Sequence, residues 1–150
     1  MKKLGIALAV LLLAACAMNH TAGNKLPDPE VTLDQTSTMP GAAEYVTGNI
    51  PVSFRLSVTN RAAIPITLKR VEVTNVGEAG GYMIPQTSVP FNVTLQPGVS
   101  DAVTFTVAAV NAGYNVTGAN EPVTVRVTSV YDTSEGALQN VVIRQVSGVR

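Results

Sequence analysis

Valine–threonine pairs recur along most of this chain, at 31–32, 46–47, 58–59, 73–74, 93–94, 103–104, 116–117, 123–124 and 127–128. Both residues are β-branched, so they lose side-chain freedom in a helix and fit a pleated strand. Around them apolar and polar residues alternate, the pattern of a strand with one buried and one wet face. Beyond residue 16 no stretch holds a 3.6-residue period, so little or no helix is expected.

Seven strands follow from the alternation. Strand A covers 30–35, with Val31 and Leu33 inward, and a turn-rich stretch punctuated by Met39-Pro40-Gly41 follows it. Strand B places Val52, Phe54, Leu56 and Val58 against Ser53, Arg55, Ser57 and Thr59. Strand C begins with Ile64, Ile66 and Leu68 on one face and continues with Val71 and Val73 on the other parity. One extra residue near Lys69-Arg70 restores the inward face, which is the work of a β-bulge. The alternative is a break into two strands of different sheets. A loop rich in glycine covers 75–88. Strand D (89–95) points Phe91, Val93 and Leu95 inward, and Gln96-Pro97-Gly98 is a strong turn signal. Strand E (102–110) points Val103, Phe105 and Val107 inward. A second loop covers 111–121. Strand F (122–131) carries Val123, Val125 and Val127, and Asp132 to Gly136 forms a turn. Strand G (138–147) sets Val141, Ile143 and Gln145 opposite Val142, Arg144 and Val146, and the pattern does not say which set is buried.

Short strands at even spacing with turn chemistry between them predict an all-β fold, an Ig-like β-sandwich of about seven antiparallel strands over 30–150. A barrel of similar strand number satisfies the same pattern. The stretch 51–74, with Thr59-Asn60, a short loop containing Pro65, and Leu68 to Val73, resembles the Ig-like late-embryogenesis-abundant/WHy type of domain. The stretch from Leu95 to Val103 resembles the turn before the penultimate strands of that type. The resemblance implies the fold and no functional residue.

The first 15 residues read differently. Lys2 and Lys3 precede an apolar run from Leu4 to Leu13. That run is roughly ten residues long, against the ~20 a membrane-spanning helix needs. Lysines, a short apolar run and small residues make a secretory signal peptide. Its end, Leu13-Ala14-Ala15-Cys16, resembles the bacterial lipobox. The resemblance implies a diacylglycerol on the Cys16 thiol, cleavage before Cys16, and N-acylation of the new terminus. The chemistry suits the residues: small side chains admit the backbone to a membrane-embedded active site, and a thiol is the strong nucleophile available at neutral pH. The expected organisation is a signal peptide at 1–15, a lipidated N-terminus and flexible tether at 16–29, and the sandwich beyond. Ala17, not an aspartate, follows the cysteine; by the enterobacterial pattern this leans towards the outer membrane. In the tether Pro27 and Pro29 oppose helix. His20, the only histidine, reads there as a solvated residue and not as a metal ligand.

Composition narrows the function classes. Ten basic residues balance ten acidic ones. Loss of Lys2 and Lys3 with the leader leaves eight against ten, a net of −2. No basic cluster exists to neutralise phosphates, so no nucleic-acid partner is expected. Cys16 is the sole cysteine, so no intramolecular disulfide can form and the fold holds by burial. No Cys–His pair or Ser–His–Asp set lies in the folded part, and no catalytic residue, metal site or cofactor is expected. The carboxylates Glu72, Glu78, Asp132 and Glu135 read as solvated turn residues, and Asp132 to Gly136 lacks the ligand spacing of a calcium loop.

If every strand runs the height of the sandwich, loops A–B, C–D and E–F share the end away from the tether. Each carries a tyrosine, Tyr45, Tyr82 and Tyr114, a residue suited to partner contacts. Two readings stand: a recognition tip made by these loops, or tyrosines capping the open end of the core with hydroxyls in water. The functional expectation is a lipid-anchored, non-enzymatic envelope lipoprotein. It is held to the membrane through Cys16 and binds a protein or wall component, with no small-molecule substrate evident. The alternatives are a structural or assembly subunit offering edge strands, an envelope hydrolase, or a glycan-binding module.

Overall fold

In the computed structural model, described over residues 26–38, 49–77, 80–111 and 122–147, every regular element is a strand. They run β1 (Glu30–Gln35), β2 (Ile50–Thr59), β3 (Ile66–Asn75), β4 (Tyr82–Met83), β5 (Thr87–Leu95), β6 (Ser100–Asn111), β7 (Val123–Thr133) and β8 (Gly136–Val146). Two four-stranded antiparallel sheets form, ordered β1-β2-β6-β4 and β5-β3-β7-β8. The fold is a β-sandwich, with one element more than the alternation gives, because β4 lies inside the stretch expected to be loop.

Alternation sets the faces. In β2, Ile50, Val52, Phe54, Leu56 and Val58 are buried and the residues between them are not. In β3, Ile66 and Leu68 face inward before Lys69, and Val71 and Val73 after it. The pairing with both neighbours shifts between Leu68 and Arg70. Against β7 the step from Tyr131 to Val130 is met by two residues of β3, so one continuous bulged strand keeps its apolar face inward. The wet-face hydroxyls pair across strands: Ser53 with Thr106 at 2.8 Å, Thr59 with Ser100 at 2.8 Å, Thr67 with Thr94 at 2.9 Å. Such pairs add modestly to each ladder.

The core spans both sheets. Phe105 of β6 packs on Phe54 within its own sheet at 5.8 Å between ring centroids. It meets Phe91 of β5, in the other sheet, edge-on at 6.0 Å. β8 turns Leu138, Val142 and Val146 to the interior and leaves Val141 and Ile143 in solvent.

The short turns share one end. Val99 N donates to Gln96 O at 3.0 Å, with Pro97 and Gly98 (φ 73°) between them, the geometry of a type II turn. Asn60 fastens that turn to the one after β2. Its side chain is fully buried; Nδ2 donates to Ile64 O (2.8 Å) and Leu95 O (3.0 Å), while Oδ1 accepts from Ala62 N (2.8 Å). Its backbone N donates to Val99 O at 3.0 Å, and its carbonyl accepts from Gly98 N at 2.9 Å. Leu95 ends a strand of one sheet and Asn60 extends a strand of the other, so this amide clamps the sheets together.

Truncating Asn60 strands one donor and two acceptors inside the protein, at roughly 1–3 kcal/mol each. Asn60→Ala is expected to lower unfolding free energy by about 3–5 kcal/mol in urea titrations. Ser53→Ala, on the wet face, should cost less than about 1 kcal/mol.

Candidate functional site

The end opposite those turns is where the sequence allows either a recognition tip or tyrosines capping the core. The flanks of loops A–B, C–D and E–F do converge there. Ile50 pairs with Ala109, Tyr82 with Asn111, and Asn75 with Val125. The tip reading fails for Tyr82, however. Its side chain is 0% exposed, and its hydroxyl donates to Oε1 of buried Gln35 at 2.6 Å. Tyr82 is therefore a core residue tying β4 to the end of β1. Nor does that hydroxyl reach water, as the capping reading had it. Tyr45, Tyr114, His20 and Cys16 lie outside the described residues.

Two amides that the sequence reading passed over complete this end. Asn75 Nδ2 donates to Tyr82 O at 3.1 Å and Asn75 Oδ1 accepts from Ile84 N at 2.7 Å, so the last residue of β3 brackets β4. Gln35 Nε2 donates to Ser37 O at 3.3 Å. Gly80 brings the same segment against β7. At φ +112° it adopts a backbone few side chains tolerate, and an added Cβ would lie 2.5 Å from Val123 Cγ2. A signal for the amides was present, since Gln35 continues the inward parity of Val31 and Leu33, and Asn75 that of Val71 and Val73.

A second polar group lies inside the sandwich. Ser129 and Tyr131 face inward on β7, and Asn140 pairs with Ser129 across to β8. Ser129 Oγ, Tyr131 Oη and Asn140 Oδ1 are buried without a protein hydrogen-bond partner. Burial pushes the Tyr131 hydroxyl up to about 12. A phenol held this firmly protonated is no base at neutral pH.

The described surface otherwise carries ordinary charges. Arg61 pairs with Glu30, both more than half exposed, and Arg70 with Glu72 at 2.8 Å. Such pairs contribute little. Asp132 and Glu135 flank a plain turn, closed by Thr133 Oγ1 donating to Gly136 O at 2.8 Å and accepting from Glu135 N at 3.0 Å. Among the described residues no three His, Cys, Asp or Glu side chains are grouped to hold a metal ion. Among them, too, no helix is long and apolar enough to cross a membrane.

No protein-family model matches the sequence, and no curated protein matches it. Solved structures do match. A Bordetella pertussis protein described as ApaA aligns with 82% of this chain and 94% of its own, at 14% identity and a TM-score of 0.53. An Archaeoglobus fulgidus protein aligns with 80% of this chain and 93% of its own, at 14% identity and a TM-score of 0.49. The VesB protease of Vibrio cholerae aligns over 31% of its length, at 17% identity and a TM-score of 0.34. The first supports the architecture alone, and the other two carry no argument.

Two measurements follow. Tyr82→Phe leaves Gln35 Oε1 without its buried donor and should cost about 1–2 kcal/mol of stability. Tyr131→Phe removes an unpartnered hydroxyl and should change stability at neutral pH by less than about 1 kcal/mol. Because the folded state raises the Tyr131 pKa from 10.0 to about 12, its contribution is complete below pH 10 and is lost as pH climbs towards 12. Two pH units amount to about 2–3 kcal/mol. Of this, about 2 kcal/mol is lost by pH 11.5, so urea titrations at pH 8 and pH 11.5 should show about 2 kcal/mol less alkaline loss in Tyr131→Phe than in the wild type.

Proposed function

We propose that this chain is a lipid-anchored lipoprotein of the bacterial cell envelope, whose β-sandwich acts by binding a protein or wall component and not by catalysis. The observation that carries the reading is the coincidence of Lys2-Lys3, a short apolar run, and Leu13-Ala14-Ala15-Cys16, with Cys16 the only cysteine in the sequence. Lipidation gives that residue a chemical purpose. Each buried methylene contributes about 0.8 kcal/mol and one acyl chain holds only reversibly, so the two or three chains of a processed lipoprotein fix the protein at the bilayer. Ala17 after the cysteine supports the outer membrane as its destination.

A binding role is supported by how the chemistry-bearing residues are used. The sole histidine precedes the sandwich and the sole cysteine is the anchor. Within the described part, the buried polar side chains Asn60, Gln35 and Tyr82 are engaged in holding turns and strand ends. A tether of about 13 residues gives the domain a root-mean-square reach of roughly 20 Å from the membrane, enough to meet envelope components beside it.

Mass spectrometry of the chain made in its own host should find a mature N-terminus at Cys16 carrying diacylglycerol and an N-acyl group. Cys16→Ser should move the protein into the aqueous phase of a detergent extraction. An unmodified Cys16 in the wild type, or a mature chain starting elsewhere, would refute the anchor. Crosslinking in native membranes should then recover one dominant envelope partner, and a catalytic turnover by the purified chain would refute the binding role.

A further inference from the structure

Four strand edges bound the two sheets, and three of them are blunted. β1 is six residues long and carries Glu30 and Asp34. β4 is two residues long. β5 carries Pro90 and runs beside the bulge of β3. These are the usual guards against one sheet adding to another. β8 has few of them. It runs for 11 residues in unbroken register with β7, without proline or an acidic residue, and Arg144 is its only charge. On its wet face Val141 and Ile143 are 52% and 56% exposed. An edge of this kind is a template for a further strand.

We propose that β8 is a self-association edge, pairing antiparallel with β8 of a second copy about a two-fold axis. The argument for a second copy is that the strand complements itself. Under a two-fold, the numbers of paired residues have a constant sum, and the faces of the joined sheet match only when that sum is even. Placing the axis at Val142 sets Val141 against the partner's Ile143, and Ile143 against the partner's Val141. The exposed apolar pair of each copy is then covered by that of the other. The same register pairs Leu138 with the partner's Val146 on the inward face and uses the strand from Leu138 to Val146. It sets Arg144 against the partner's Asn140, so like charges do not face each other. Arg144 Nη2 donates to Val31 O of β1 at 3.3 Å within its own copy, so the pairing relies on Val141, Ile143 and the strand ladder and not on this guanidinium.

The pairing is compatible with anchoring, although it does not depend on it. Antiparallel strands send the two chain starts to opposite ends of the joined sheet. Each strand spans about 35 Å, and residues 16–29 fully extended span up to about 50 Å. A dimer lying with its strands along the membrane leaves both Cys16 residues able to reach one bilayer.

The test is sedimentation velocity of the full chain in detergent, over a wide concentration range. The wild type should form dimers. Val141→Lys/Ile143→Lys, which brings lysines opposite lysines, should raise the dimer dissociation constant at least about tenfold. Its circular dichroism should stay unchanged, and its Tm should match the wild type's at concentrations where both are monomeric, because both positions are exposed. Val99→Lys, at another exposed valine (46%), should leave the dimer intact. Mixing Val141→Lys chains with Ile143→Glu chains should favour the heterodimer, in which lysine faces glutamate. A wild type that stays monomeric, a dimer indifferent to the double lysine variant, or a β8 edge that crosslinks to a different protein in native membranes each overturns the proposal. Lipid on Cys16 is read separately by mass spectrometry, so failure of the dimer and failure of the anchor are distinguishable.

Discussion

Asn60 is the interaction on which the arrangement of the two sheets depends. Burial of valine, leucine and isoleucine drives them together but is non-directional, and any face-to-face stacking of two apolar sheets would satisfy it. A single cysteine rules out an intramolecular disulfide to fix the choice. The Asn60 side chain does so by hydrogen bonds, reaching the carbonyl of Leu95 in the opposite sheet and the turn atoms of Ile64 and Ala62 in its own connection. A buried amide with all these partners present specifies one relative position of the sheets, because any other leaves it unsatisfied in a low dielectric.

The same device recurs. Gln35, Asn60 and Asn75 each stand at the first inward-facing position beyond an apolar series, at the end of β1, just past β2 and at the end of β3. Each turns its amide to backbone, Gln35 to Ser37 O and Asn75 to Tyr82 O and Ile84 N, and Gln35 also accepts from the Tyr82 hydroxyl. At the end of a strand the ladder stops while the core has not yet met solvent, so backbone groups there need partners. An amide offers donors and an acceptor on a short side chain and supplies both. The inward series of β7 and β8 depart from this rule, since Ser129 Oγ and Asn140 Oδ1 stand in them without a hydrogen-bond partner.

Much of this fold was legible in the sequence. Alternation sets the inward faces of six of the seven expected strands, and the parity change between Leu68 and Val71 locates the bulge at Lys69. Strand ends differ by two or three residues, as at Ile50 and Thr133, because ladder pairing continues past the last clear alternation. Two features were not legible, for different reasons. In β8, Leu138, Val142 and Val146 on one parity compete with Val141 and Ile143 on the other, so period two cannot choose a face. The choice comes from pairing with β7, whose inward residues include Val127 and Tyr131 opposite Val142 and Leu138. β4 is too short to show a period and sits among Gly77, Gly80, Gly81 and Pro85. It exists because Asn75 brackets it and Gly80 lets it approach Val123. Those tertiary contacts take Tyr82 from a loop and bury it.

The burial of Tyr82 shifts where contact chemistry on this molecule should be sought. A tip built from three loop tyrosines loses the member whose position is described, and loses it to a hydrogen bond with Gln35 that any approaching partner would have to break. Breaking it would give up a buried hydrogen bond, at a cost comparable to what a single good contact returns. No such cost attaches to the flank formed by β8. Val141 and Ile143 are already exposed, and covering them releases water from apolar surface without disturbing a buried bond. Tyr82 is thus committed to the stability of the fold, while the β8 edge offers exposed apolar area that gains by being covered.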